Sequence, residues 1–234
     1  MKVVLDIETI PVPRQDWATL AGVTLLTQQE PAEDLFAQAD DDRARQAQDD
    51  QYAKSAFDAT FSRIVCIGVL LLGDDLEPRG AISWYGANEK DLLQKFWQRM
   101  AKERPSLWIT HNGLGFDLPF IKKRSIIHQV KPPFDINLAR FRTEPVYDTM
   151  AVWSNWDNRG WVKLDTLARA LGVETKSGSG SQVLPMWERG EGQAIAEYCL
   201  HDTYVTYACY CRMVYRNPLS REVVLLHHET IDCP

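Results

Sequence analysis

Asp6 and Glu8 stand two residues apart in Val3-Val4-Leu5-Asp6-Ile7-Glu8. Alternation along a strand sends both carboxylates to one face and Leu5 and Ile7 to the other. The same spacing at Asp75 and Glu77 sits in a turn, where it reads as solvated surface. Around Asp6 the apolar neighbours imply a buried strand, and ionised carboxylates there are costly unless a cation or hydrogen bonds compensate them. Oxygen donors at a strand end suit a hard cation such as Mg²⁺ or Mn²⁺. A second acidic group, Asp117, closes Thr110-His-Asn-Gly-Leu-Gly-Phe-Asp, in which an Asn-Gly turn follows a strand and Asp117 opens the next helix. By itself it is also an ordinary helix-start aspartate that suits the helix dipole. A third group is Tyr198-Cys-Leu-His-Asp202, where the i, i+4 pair shares one helix face.

Taken in order, Asp-x-Glu on the first strand, Asn-x4-Asp at a strand-to-helix turn and Tyr-x3-Asp on a late helix resemble the DEDD superfamily of 3′-to-5′ exonucleases. Tyr198 rather than a histidine implies the tyrosine subgroup, since position 197 is Glu and His201 is out of phase. The nearest likeness is to stand-alone bacterial domains related to the proofreading exonuclease of family-B DNA polymerases, some of which sit in bacterial antiphage operons, and it implies a role in bacterial DNA repair or antiphage defence. The resemblance runs from residue 2 to about 215. It implies a ribonuclease H-like fold and two divalent cations, Mg²⁺ or Mn²⁺: Asp6 would bridge them, Glu8 and Asp202 would complete one site, and Asp117 would serve the other. Tyr198 would orient the attacking water. The expected partner is the 3′ end of single-stranded DNA or RNA, with DNA favoured. Thr9, Asn112, Phe116, Lys122, Lys123, Arg124 and Lys176 are the expected strand contacts. Two alternatives carry weight beside this one: a nucleic-acid-binding module on the same fold, and an enzyme trimming RNA or short oligonucleotides. The presence of all four carboxylates with Tyr198 favours catalysis over binding alone.

The elements needed to position these groups are legible. Residues 3 to 8 read as a strand, Ile64 to Leu72 as a central strand, and Ala81 to Tyr85 as its antiparallel hairpin partner. Asn88 caps a helix with Leu92, Leu93, Phe96 and Met100 on one face, and Leu107 to Thr110 is a fourth strand. A short strand near Val146 and Tyr147, a helix ending at Gly172, and a long helix from about Glu191 to Tyr215 follow. This pattern predicts a mixed five-stranded sheet flanked by helices in one α/β domain, with a helical insertion over about 14–60 and an extension over about 217–234.

Composition narrows the setting. No apolar run exceeds the nine residues from Ile64 to Leu72, too few to span a bilayer, and charges interrupt any signal peptide, so a cytoplasmic protein without membrane partners is expected. Five cysteines without a Cys-x-x-Cys spacing argue against a disulfide framework or zinc ribbon. Residues 30–50 hold eight acids against Arg43 and Arg45 and so carry the whole formal charge of −6; they are expected to form a mobile acidic flap. Residues 121–142 carry a local excess of five positive charges, compatible with a polyanion. Trp153, Trp156 and Trp161 have faces that could stack on bases, but core or loop packing is the expectation for them.

Overall fold

The computed structural model describes residues 1–26, 35–175, 182–226 and 228–234, with backbone alone at 35–38. By internal contacts the chain divides into two compact units, one comprising Met1–Glu8 with Ile64–Pro234 and the other Thr9–Arg63.

Six strands are present among the described residues: β1 (Lys2–Pro11), β2 (Ser62–Leu72), β3 (Pro78–Tyr85), β4 (Leu107–Thr110), β5 (Val146–Asp148) and β6 (His228–Asp232). They form one mixed sheet in the order β5-β4-β1-β2-β3-β6. β1 pairs parallel with β4 and β4 with β5, whereas β2 and β3 form the expected antiparallel hairpin. The sheet therefore has six strands rather than five. The extra one comes from the C-terminal extension, with His228 to Asp232 in parallel register with Ala81 to Tyr85. Cys233 N donates to the Tyr85 carbonyl at 2.7 Å and its own carbonyl accepts from Asn88 N at 3.1 Å, locking the end of β6. Its mostly exposed, polar residues carry no apolar alternation, because an edge strand has little to bury.

Nine helices occur among the described residues: α1 (Arg14–Ala21), α2 (Leu35–Lys54), α3 (Glu89–Glu103), α4 (Asp117–Ile127), α5 (Thr149–Trp153), α6 (Leu164–Ala170), α7 (Val183–Glu188), α8 (Gly192–Met213) and α9 (Arg221–Val224). Two layers of side chains cover the sheet. On one face Val4, Leu70, Leu107 and Ile109 pack against Leu200, Tyr207 and Ala208 of α8 and Leu167 of α6. On the other, Phe96 of α3 meets Trp84 of β3 edge-on at 6.1 Å and Trp108 of β4 at 6.3 Å. Asn88 caps α3 as expected, its side chain accepting from Asp91 N at 3.1 Å. Gly68 lets α8 lie close on β2: a Cβ there would sit 2.9 Å from both Cys199 Sγ and Thr203 Oγ1.

The second unit holds the expected helical insertion. Tyr52 of α2 donates to the Val12 carbonyl at 3.0 Å and meets Trp17 edge-on at 5.6 Å. Arg14 lies 4.7 Å over that tyrosine ring and pairs with Asp49 at 2.7 Å. Gln48 accepts from Leu26 N and donates to the Thr24 carbonyl. Over 39–50 the stretch expected to be a loose flap is thus a largely exposed regular helix, held by Gln48 and Asp49 to the segment before it; Glu30, Glu33 and Asp34 lie outside the described residues.

Arg124 departs from the strand-contact role read from its sequence position. It lies on the inward face of α4 and forms a buried, bidentate pair with Glu89 of α3, Nε to Oε1 at 2.9 Å and the guanidinium to Oε2 at 2.6 Å. Glu89 Oε1 also accepts from Ile64 N at 2.8 Å, so one carboxylate ties α3 and α4 to the start of the central strand. Removing one partner of such a pair strands the other charge in the interior, at about 3–5 kcal/mol. Arg124→Ala is therefore expected to lower the unfolding free energy in urea by that amount. Lys123→Ala, on the exposed face of the same helix, should stay within ~0.5 kcal/mol of the wild type.

Candidate active site

Three elements converge at the carboxyl end of β1. Val4 faces the layer formed by α8, so Asp6 and Glu8, in phase with it, point the same way. From α8, the Cys199 thiol donates to Asp6, at 3.4 Å to its carbonyl and 3.5 Å to Oδ2. One ligand atom each of Asp6, Glu8 and Cys199 fall within 4.8 Å of one another. One turn apart on α8, Tyr198 and Asp202 share a helix face and lie near enough for each to shift the other's pKa. Asp117 arrives from α4, and its Oδ1 accepts from Ile7 N at 3.2 Å, which holds it against the strand carrying Asp6 and Glu8.

The loop that delivers Asp117 is fixed from behind. Asn112 takes a positive φ of 65°, a conformation asparagine tolerates, and a Cβ on Gly113 would lie 2.4 Å from Thr110. Asp148, at the end of β5, is buried and accepts four backbone N–H groups. Asn112 (2.9 Å) and Leu114 (3.0 Å) belong to this loop, and Met150 (3.1 Å) and Ala151 (3.2 Å) to the start of α5. His111 contacts the Thr149 hydroxyl and the Val162 carbonyl, both at 3.0 Å. Burial lowers its pKa, so the neutral ring donates from Nε2 to Val162.

Electrostatically the site is in conflict with itself. Burial is the largest cause raising the carboxyl pKa of Asp6, followed by the charges of Glu8, Asp117 and Asp202. Glu8 is raised in the same way by burial, Asp202 and Asp117. Burial pushes Asp117 up to about 7, with Asp148 adding to it, and Asp202 up to about 6. Among the described residues no lysine or arginine forms an ion pair with Asp6 or Glu8. Crowded oxygen donors without a cationic side chain are what a hard divalent cation compensates, so the residues present fit such an ion. Tyr198 is raised above its ordinary value by burial first and then by Asp202, Glu8 and Asp6, so it stays a phenol.

Asp6, Glu8, Asp117, Tyr198 and Asp202 are thus brought together. Of the expected strand contacts, Asn112 and Phe116 lie in the loop leading to Asp117, Phe116 packing 5.2 Å from Phe120. Thr9 belongs to the second unit, where its hydroxyl donates to the Ala56 carbonyl at 2.7 Å. Lys122 pairs with Asp135 at 3.0 Å on the surface, Lys123 is exposed, and Lys176 lies outside the described residues. Asp148 follows the short strand expected near Val146 and Tyr147, and its place before Thr149-Met150-Ala151 is an N-cap signal that points to the positioning role. Cys199 carried no such signal.

Comparison with known proteins identifies the family. A family described as "Predicted 3'-5' exonuclease related to the exonuclease domain of PolB" matches residues 55–224, a span that includes Asp117, Tyr198 and Asp202 and begins after Asp6 and Glu8. A DNA polymerase epsilon catalytic chain from Arabidopsis thaliana is 28% identical over 143 residues, 56% of this chain and 6% of that protein. Its counterpart from Saccharomyces cerevisiae is 30% identical over 142 residues, 55% of this chain and 6% of that protein. A DNA polymerase from Pyrococcus glycovorans is 24% identical over 140 residues, 52% of this chain and 18% of that protein. The chain therefore matches only a small part of the length of these relatives.

The raised carboxyl groups set a pH dependence. Asp117 titrates near 7 when folded against about 3.9 in an unfolded chain. Its protonated form is favoured by folding, so its contribution is fully present below pH ~4 and is lost as pH rises toward 7. In EDTA, Asp117→Asn should therefore melt above the wild type at pH 8, and the difference should vanish as pH falls to ~4. A variant that melts below the wild type at pH 8 would contradict the electrostatic account.

Proposed function

Because the chain belongs to the family of 3′-5′ exonucleases related to the exonuclease domain of PolB, we propose that it acts as a two-metal-ion exonuclease of the DEDD tyrosine subgroup. Its substrate is single-stranded nucleic acid, DNA in preference to RNA, degraded from the 3′ end to nucleoside 5′-monophosphates. The observation that carries this is the delivery of four carboxylates from β1, α4 and α8, together with Tyr198, to one partly buried point. The DNA preference is supported by relatives that are DNA polymerases by name.

In this reading Asp6, Glu8 and Asp202 would hold one divalent cation, and Asp117 with Asp6 the second. When bound, the ions neutralise charge on the scissile phosphate and lower the pKa of water. The chain's own groups do the rest. Water attacks phosphorus in line and the bond to the 3′ oxygen of the preceding nucleotide breaks, leaving a 5′-monophosphate and a new 3′ hydroxyl. Tyr198 Oη hydrogen-bonds the attacking water and keeps its proton throughout. Burial and the neighbouring carboxylates hold the proton on the phenol, which favours orientation over general-base catalysis. Asp148 acts at one remove by fixing the loop that ends in Asp117.

Asp6→Ala and Asp202→Ala should each abolish turnover of a labelled single strand while circular dichroism shows a folded protein. Full activity in either would sink the assignment. Tyr198→Phe should retain Mn²⁺ binding by calorimetry and lose less than the ~10²–10⁴-fold typical of a lost general base. A covalently closed single-stranded circle should resist the enzyme while its linear form is degraded. If both are cut at equal rates, the activity is endonucleolytic.

A further inference from the structure

We propose that the pocket beside the Asp117 loop, lined by Asn112, Gly115, Arg140, Phe141, Trp156 and Trp161, seats an unpaired base of the substrate strand on the 5′ side of the nucleotide being released. The assignment rests on the exonuclease reading for its substrate and on separate observations for its place. Phe141 is 77% exposed and Trp161 49%, large aromatic surface left in water within one pocket, where packing had been expected for the tryptophan. The rings of Phe141 and Trp156 lie 5.5 Å apart and 44° from parallel, tilted rather than stacked face to face. Both residues take a left-handed backbone, φ 63° at Phe141 and 64° at Trp156, which bulky side chains rarely adopt and which the surrounding structure must enforce.

The pocket opens to solvent, so a base can lie against its aromatic wall without being enclosed. Its other wall is the catalytic loop: Asn112 and Gly115 precede Asp117, and Asp148, which pins that loop, also lines the pocket. Arg140 stands at the rim, and Arg142 beside it in sequence is also exposed. Aromatic faces with flanking cations and a wall shared with the phosphodiesterase carboxylates fit a nucleobase and its phosphate, because every base has a face to stack and every linkage a charge to neutralise. An apolar protein partner would not call for the arginine or for continuity with the catalytic loop.

The test is binding of a fluorescein-labelled oligothymidylate followed by anisotropy in EDTA, where turnover is stopped. Phe141→Ala and Trp161→Ala should each weaken binding about tenfold, and Phe141→Trp should restore it. An oligonucleotide of the same length with abasic residues should bind the wild type about tenfold more weakly than oligothymidylate. In the alanine variants that difference should disappear, a loss of coupling that general unfolding does not produce. Equal affinity of wild type and variants for oligothymidylate, or an abasic penalty that survives both substitutions, overturns the pocket assignment. Turnover of the same strand with Mn²⁺ is scored separately. Base-dependent binding without turnover refutes the exonuclease reading alone, and turnover without base-dependent binding refutes the pocket alone.

Discussion

Four carboxylates that repel one another and share one poorly solvated place are the constraint to which the rest of the first unit answers. Asp6 and Glu8 come from a central strand of the sheet, Asp117 from the first turn of α4, and Asp202 from the helix lying over the sheet. Keeping Asp117 ionised against its raised folded pKa costs on the order of a few kcal/mol, comparable to the ~1.5–3 kcal/mol gained by burying one large apolar side chain. No single contact offsets a cost of this size several times over. The offset comes from the aromatic and aliphatic layers on the two faces of the sheet, with Phe96 wedged between Trp84 and Trp108 on one side and α8 laid over Gly68 on the other.

Precision then comes from polar groups that do no chemistry. Asp148 gathers four backbone N–H donors and so fixes both the Asn112–Leu114 loop and the start of α5. Glu89 ties α3, α4 and β2 together through Arg124 and the Ile64 amide. Each is a buried carboxylate that gathers several N–H donors, whereas Asp6 and Glu8 are crowded by other acids. The difference separates scaffold from site: acids held by N–H groups fix the frame, and acids crowded together sit where a cation fits.

Much of this was legible in the sequence because it rests on spacing. Period-two alternation placed Asp6 and Glu8 on one face, the i, i+4 rule joined Tyr198 to Asp202, and the Asn-Gly turn located Asp117. What escaped rests on partners far away in the chain. Arg124 follows Lys122 and Lys123 and reads as one basic run, yet helical periodicity turns it inward, where Glu89 waits 35 residues earlier. β6 escaped because an exposed edge strand needs backbone pairing but no apolar pattern. The acidic stretch escaped in part because Gln48, Asp49 and Tyr52 find their partners in 12–26, a segment whose composition announces nothing.

The same energetics bear on whether the fold serves catalysis or binding alone. A module that only held nucleic acid would gain stability from neutralising any one of Asp6, Glu8, Asp117 or Asp202, and would also lose a source of repulsion toward phosphate. Here all four are present, and among the described residues none of them forms an ion pair with a basic side chain. A divalent ion that bound the folded state and not the unfolded one would recover their cost, stabilising in proportion to the logarithm of ion concentration over Kd. On the proposed reading, stability and phosphoryl chemistry would be linked through one ligand set. A chain so arranged holds its folded state most securely when it is also ready to meet the charge of a phosphodiester, which supports reading the site as an enzyme's.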